Sequence, residues 1–111
     1  MTEEELVRFD KLAQTVVLTA QGIPSLFAGE EMLRTKGGVS NSHDSPDRVN
    51  RIDWSFKADH KDVFDYYRGL IALRRTHPAF RLATAAEIER HLRFLDTGDT
   101  HVVAYMLVDH A

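Results

Sequence analysis

The chain has 111 residues, with 14 basic and 17 acidic side chains and a formal net charge of -3. Hydrophobic residues make up 43% and charged residues 28%, which is typical of globular chains and excludes disordered and fibrous classes. The basic residues are scattered, which argues against nucleic acid as a partner, and the absence of cysteine excludes disulfides and thiolate sites.

The N-terminal segment predicts an amphipathic helix. Thr2 and Glu5 have the spacing of a capping box, in which a hydroxyl and a carboxylate satisfy free amides of the first turn. Apolar side chains then recur every three or four residues, and Gly22 and Pro24 end the helix. The residues of this apolar face are Leu6, Phe9, Ala13, Val16, Val17 and Ala20. The acidic start is not the pattern of a signal peptide, and no apolar run approaches the ~20 residues that span a membrane.

A short apolar run from Ile23 to Ala28 predicts a strand buried on both faces. A helix followed closely by a buried strand is typical of α/β folds. Residues 29–59 are polar and rich in turn-forming residues, and a connection of that length is usually functional or disordered. Because Ile52, Trp54 and Phe56 give this loop apolar groups to bury, we expect it to be ordered.

A second helix follows the loop. It begins with Asp59 or His60 near its cap and ends at His77, because Pro78 cannot continue it. Arg74 and Arg75 complement the negative end of its dipole.

The C-terminal part predicts a β-hairpin. A linker over 79–84 and a helical turn over 85–89 lead to strands at 91–95 and 101–108, with Gly98 left-handed in the turn between them. An isolated β-hairpin is only marginally stable in water, so we expect the C-terminal hairpin to belong to a larger sheet.

Two neighbouring carboxylates, Glu30 and Glu31, follow the predicted strand directly. They either contribute to a site at the carboxyl end of the strand or start a short helical turn. Adjacent acids on opposite sides of a backbone do not form the facing pair of a retaining glycosidase, so no catalytic residue is assigned.

The densest run of hydrogen-bonding side chains covers residues 41–51. It suits sugar hydroxyls, which need short acceptors and planar donors, and it equally suits a series of turns. Trp54 either anchors this loop to the core or stacks on a ligand, and we expect the anchor. The six histidines, including His43 and His110, lack the spacing of a metal site, and we predict neither a metal nor a cofactor.

Several strings of the sequence, in their order and spacing, resemble type I pullulanase, a debranching family within glycoside hydrolase family 13 of the alpha-amylase superfamily. The resemblance covers nearly the whole chain. The strings are QGIPSLFAGEE from Gln21, LRTKGG from Leu33, VNRIDW from Val49 and DYYRGLIALRRTHPAF from Asp65.

The resemblance implies an α/β fragment of a (β/α)8 barrel. Residues 1–80 would supply the seventh helix, the eighth strand, the long loop above it and the eighth helix of the catalytic barrel. Residues 81–111 would open the β-sandwich domain that follows. A full barrel needs about 250 residues, so this chain holds only its closing units.

The resemblance also implies a function. The family hydrolyses α-1,6-glucosidic bonds in pullulan and branched α-glucans with retention, using carboxylates on earlier strands whose motifs are not found in this chain. The chain would be inactive alone and would contribute part of the substrate cleft. Its parent could be cytoplasmic or secreted.

Site residues follow from the same resemblance. Asp47 and Arg51 have the spacing of an Asp and an Arg that bind a glucose unit in many relatives. Asn41 and Asn50 are counted with them as substrate-binding residues that would help to shape the cleft. The residues expected to structure the loop are Glu30, Arg34, Asp53 and Trp54.

Two hypotheses follow. The first is a pullulanase segment that binds α-glucan in its parent, touches no membrane, and self-associates as a homo-oligomer through exposed strand edges. The alternative is an independent small α+β module that binds carbohydrate or protein without catalysis and folds as a monomer.

Overall fold

The computed structural model describes residues 1–109. Within this range the chain forms helices and one two-stranded antiparallel sheet, an α/β composition. The helices are α1 (Glu3–Thr19), α2 (Asp47–Asn50), α3 (Phe56–Asp59), α4 (Lys61–Thr76) and α5 (Ala85–His91). The strands are β1 (Leu92–Leu95) and β2 (Ala104–Leu107), and 3₁₀ turns cover Glu30–Met32 and Pro78–Arg81.

Helices α1 and α4 pack together and form the core. The predicted capping box is confirmed, because the Thr2 hydroxyl accepts from the Glu5 amide at 3.2 Å and the Glu5 carboxylate accepts from the Thr2 amide at 2.7 Å. The second helix is also confirmed, with His60 as its N-cap and His77 as its C-cap. Buried apolar side chains fill the space between these helices and the turns beside them. They are Leu18, Met32, Val63, Tyr67 and Leu82.

The apolar face predicted for α1 is not the face that the chain buries. Leu6, Phe9 and Val16 are more than half exposed, whereas Gln14 and Leu18 are buried. α4 packs against the more polar side of α1, because tyrosines of α4 form hydrogen bonds with polar side chains on that side. No described element covers the apolar side of α1. The periodicity therefore predicted the helix correctly, but it predicted the wrong face of the helix to be buried.

The strand predicted from Ile23 to Ala28 is wrong for this chain. The segment has no regular secondary structure, and Ile23 is 98% exposed. A strand needs a hydrogen-bonded neighbour, and within residues 1–109 the two strands that form pair only with each other.

The loop over residues 29–59 is ordered by short helical turns. Glu30 and Glu31 begin a 3₁₀ turn, which is the second of the two alternatives left open for this pair. α2 and α3 add one turn each before α4 begins. The prediction of a long, irregular and structured connection is confirmed.

The predicted hairpin is confirmed with shorter strands. Leu92 pairs with Leu107 and Leu95 with Ala104, and Gly98 has a φ of +66° in the connection. His91 ends α5 instead of opening β1. The connection is long because the Asp96 and Asp99 carboxylates accept from backbone amides and form turns in place of ladder pairs.

Hydrogen bonds from α4 and from β2 reach the end of α1. The Arg74 guanidinium is buried and donates to the carbonyls of Leu18, Ala20 and Gly22 at 3.0, 2.7 and 2.6 Å. The Leu18 carbonyl is one that the end of the helix leaves without an intrahelical partner, and α1 has no basic residue of its own in its last turn. The Tyr105 hydroxyl donates to the Thr19 carbonyl at 3.0 Å. Among the described residues, no helix is both long and apolar enough to cross a membrane.

Candidate functional site

The candidate site is a single helical turn, α2, and the loop that leads into it. Asp47 is the first residue of α2 and Arg51 follows its last, and the Arg51 amide donates to the Asp47 carbonyl at 2.7 Å. Both side chains are exposed. In residues 1–109 neither side chain has a hydrogen bond or an ion pair. A carboxylate and a guanidinium therefore lie one helical turn apart, and both are available to bind a ligand.

Asn50 is the last residue of this turn, and its side chain binds within the loop itself. Its carboxamide nitrogen donates to the Ser42 carbonyl at 2.7 Å and to the Ser45 carbonyl at 3.1 Å. Both of its amide hydrogens are therefore used inside the protein. The carboxamide of Asn50 thus ties the loop together, with no donor left for a ligand.

Asn41 lies at the exposed entrance of the loop. Its carboxamide oxygen is 3.1 Å from Nδ1 of His43, and the same His43 nitrogen is 3.8 Å from the Asp44 carboxylate. All three side chains are exposed. Asn41 is thus brought near the loop that carries Asp47 but makes no contact with Asp47 or Arg51 among the described bonds.

Arg34 connects the site to the preceding turn. Its guanidinium donates to the Ala28 carbonyl at 3.1 Å and to the Asn50 carbonyl, and it lies 5.1 Å from the centre of the Phe27 ring. Lys36 lies on the same ring at 5.2 Å and donates to the hydroxyl of Ser42 at 2.5 Å. Two cations from the 33–36 segment therefore hold the start and the end of the site loop.

Glu30 holds the other side of that turn. Its carboxylate accepts from the Gln14 carboxamide at 2.6 Å and from the Phe27 amide at 3.0 Å. Glu30 is thus committed to structure, and it forms no facing pair with Glu31 for acid and base catalysis. Gln14 was missed from the sequence, although a glutamine within the mainly apolar run over residues 12–18 is the signal that could have found it.

Asp53 and Trp54 follow the site. The Asp53 carboxylate accepts from the hydroxyl and the amide of Ser55 at 2.7 and 3.1 Å, and these bonds, with a smaller contribution from the charge of Arg51, lower the pKa of Asp53. The expectation that Trp54 anchors the loop in the core is corrected, because its side chain is 66% exposed. It lies instead at the rim of a shallow surface hollow of about 370 Å³ with Lys57 and Phe64.

A metal site would need several histidine and carboxylate side chains close together. Within the range that the structure covers, no three of these side chains come close enough to hold a metal ion. His110 lies outside the described residues.

Comparisons with known proteins decide the assignment. A pullulanase of Bacillus subtilis strain 168 is 48% identical over 99 residues, which is 89% of this chain and 14% of that protein. The crystal structure of the Paenibacillus barengoltzii pullulanase in complex with maltohexaose and alpha-cyclodextrin superposes with a TM-score of 0.94 at 54% identity, over 100% of this chain and 17% of that one. The chain has the sequence and the fold of a pullulanase segment.

A second solved pullulanase agrees. The enzyme of Anoxybacillus sp. LM18-11 in complex with maltotriose has a TM-score of 0.93 and 44% identity over 99% of this chain and 16% of that one. No protein-family model matches the chain. The pullulanase segment thus spans about a sixth of its solved relatives, and the alternative of an independent module is not favoured.

Proposed function

We propose that this pullulanase segment belongs to a debranching glycoside hydrolase that cleaves α-1,6-glucosidic bonds in pullulan and branched α-glucans. The observation that carries the proposal is the match along nearly the whole chain to enzymes whose solved structures hold maltooligosaccharides. In this proposal, residues 1–80 close the catalytic (β/α)8 barrel and residues 81–111 begin the β domain that follows it.

Within that enzyme, Asp47 and Arg51 form part of a glucose-binding wall. The Asp47 carboxylate accepts from sugar hydroxyls and the Arg51 guanidinium donates to them, which is the pairing that neutral polyols require. Support comes from their exposure, their spacing of one helical turn and their lack of internal partners in residues 1–109.

The catalytic step lies outside the segment. Retaining hydrolysis needs two carboxyl groups about 5 Å apart across the bond, one as nucleophile and one as acid and base. Glu30 is bound to Gln14 and to the Phe27 amide, so it is not free for either role. We therefore expect the 111-residue chain alone to release no reducing sugar from pullulan.

The test is a chimera in which this chain replaces the matching segment of the Bacillus subtilis relative. We expect the chimera to hydrolyse pullulan, and we expect Asp47→Asn and Arg51→Ala each to lower kcat/KM by roughly 10- to 100-fold. A hydrogen bond to a charged group contributes about 1.5–3 kcal/mol, and every 1.4 kcal/mol is about tenfold.

Matched controls lie on the same loop. Arg48 and Asp44 are exposed like the proposed pair, so Arg48→Ala and Asp44→Asn should change kcat/KM by less than about twofold. A folded chimera without pullulan hydrolysis would overturn the proposed function. Equal losses in the control variants would overturn the assignment of Asp47 and Arg51.

A further inference from the structure

The loop that carries Asp47 and Arg51 is held together by hydrogen bonds from one of its own side chains. Asn50 reaches back along the chain to the carbonyls of Ser42 and Ser45, at 2.7 and 3.1 Å. These two bonds join the last residue of α2 to the loop that enters α2. Because a four-residue helix has too few hydrogen bonds to be stable by itself, its position depends on such ties.

The same residue is held from the opposite side. The Asn50 carbonyl accepts from the Arg34 guanidinium, which also binds the Ala28 carbonyl. The loop residue Ser42 is buried, and its hydroxyl accepts from Lys36. Asn50 is therefore the residue through which the site turn is joined to the turn over residues 28–34.

We infer that Asn50 is a positioning residue for glucan binding, which fixes the Asp47 and Arg51 side chains one turn apart without touching the sugar. This inference rests on the proposed function. The exposed pair flanks Asn50, with Arg51 adjacent to it in sequence and Asp47 at the other end of the same turn. A shift of the turn would misplace both ligand groups together, and small misplacements are costly in binding sites.

Asparagine suits this position because its side chain supplies two hydrogen-bond donors. An aspartate would have the same size but would offer acceptors to two carbonyls that are themselves acceptors, so both bonds would be lost. A glutamine keeps the two donors on a side chain that is one methylene longer. Asn50→Gln should therefore restore part of what Asn50→Asp and Asn50→Ala remove.

The experiment is a double-mutant cycle in the chimera with pullulan as substrate. We expect Asn50→Ala and Asn50→Asp to lower kcat/KM about tenfold, mainly through KM, when Asp47 and Arg51 are intact. In the background of Asp47→Asn with Arg51→Ala, the same changes should lower kcat/KM by less than twofold, because there is no longer a pair to position. Arg48→Ala, on the same turn, should have no effect in either background.

The outcomes separate the two proposals. An inactive chimera would count against the proposed function. An active chimera that is sensitive to Asp47→Asn but not to Asn50→Ala would overturn the positioning role alone. An equal loss in both backgrounds would show that Asn50 acts only on general stability, and this too would overturn the inference.

Discussion

At the scale of single residues, a buried phenol outside the site joins the two long helices. Tyr67 is 1% exposed, and its hydroxyl lies 3.1 Å from both carboxylate oxygens of Asp10. Burial raises the pKa of Asp10 above its ordinary value of 3.8, the hydrogen bond from Tyr67 opposes this, and the negative charge of Glu30 adds to the rise. Burial, followed by the charge of Asp10, raises the pKa of Tyr67, so the phenol stays a neutral donor. This bond links α1 to α4 at the base of the turn that begins with Glu30.

The raised pKa of Asp10 gives stability a pH dependence of known sign. The folded state holds the Asp10 proton more tightly than the unfolded state, so this contribution is present below pH 3.8 and is lost as the pH rises through the folded pKa. Asp10→Asn removes the titration but keeps an acceptor for Tyr67. We expect the melting temperature of Asp10→Asn to rise relative to the unsubstituted chain as the pH goes from about 3.5 to about 7.

Asp62 provides a control of opposite sign for the same melting experiment. Its hydrogen bond with Lys11, at 2.8 Å, lowers its pKa, so its contribution is present above pH 3.8 and is lost as the pH falls through the folded pKa. Asp62→Asn should therefore lose relative stability toward neutral pH. If Asp10→Asn also lost relative stability toward neutral pH, the environment assigned to Asp10 would be wrong.

At the scale of elements, the turn that supports the site depends on a glycine. Gly29 has a φ of +93°, and its carbonyl accepts from the amides of Met32 and Arg34 at 3.1 and 3.0 Å. A Cβ at this position would lie 2.7 Å from Cδ and 2.8 Å from Cβ of Arg34. The Arg34 side chain lies close to the Gly29 backbone, and its guanidinium donates to the Ala28 carbonyl.

Replacement of Gly29 separates backbone strain from crowding. Gly38 also has a positive φ, of +83°, but nothing lies within 4 Å of its added Cβ. Gly38→Ala should therefore cost about 1–2 kcal/mol of unfolding free energy from conformation alone. Gly29→Ala should cost about 1–3 kcal/mol more, because Arg34 must move. Urea denaturation of the two variants measures the difference, and equal losses would contradict the contact between Gly29 and Arg34.

At this scale, the sequence predicted those features that depend on residues close together in the chain. The capping box of Thr2 and Glu5, the α4 boundaries and the left-handed Gly98 are decided by neighbours a few residues away, so their patterns were sufficient. The Ile23 segment needs a partner strand, which local sequence does not supply. The buried side of α1 was missed because Gln14 and Asp10 bind groups that are 16 and 57 residues away along the chain.

The candidate site shows the same division. The run over residues 41–51 indicated a polar loop, and the resemblance selected Asp47 and Arg51 within it. Sequence alone did not separate exposed Asn41 from half-buried Asn50, because their roles differ only through the distant carbonyls that Asn50 binds. Trp54 was expected to anchor the loop to the core because it is an isolated Trp after a polar loop, but its side chain is exposed.

At the scale of the whole molecule, the described chain is extended and open. Its radius of gyration is 17.1 Å, with extents of 49 × 30 × 26 Å, whereas a compact domain of this length would have a radius of about 13 Å. Large apolar side chains are exposed on α1, in the segment after it and on the hairpin. They include Leu6, Phe9, Leu12, Val16, Ile23, Phe94 and Val103. These exposed apolar side chains agree with a segment that spans about a sixth of its solved relatives.

The free edges of the hairpin make self-association the expected behaviour of the isolated chain. Each strand of the two-stranded sheet has one edge without a partner in residues 1–109, and unpaired edges that carry apolar side chains pair with other chains. Size-exclusion chromatography with light scattering should show a mass that increases with concentration. Leu95→Lys with Met106→Lys places charges on β1 and β2, whose side chains there are 44% and 48% exposed, and should return the chain toward a monomer. Ile23→Lys, a change at a more exposed position outside the sheet, should leave the edge pairing unchanged. A chain that stays monomeric over the whole concentration range would contradict association through these edges.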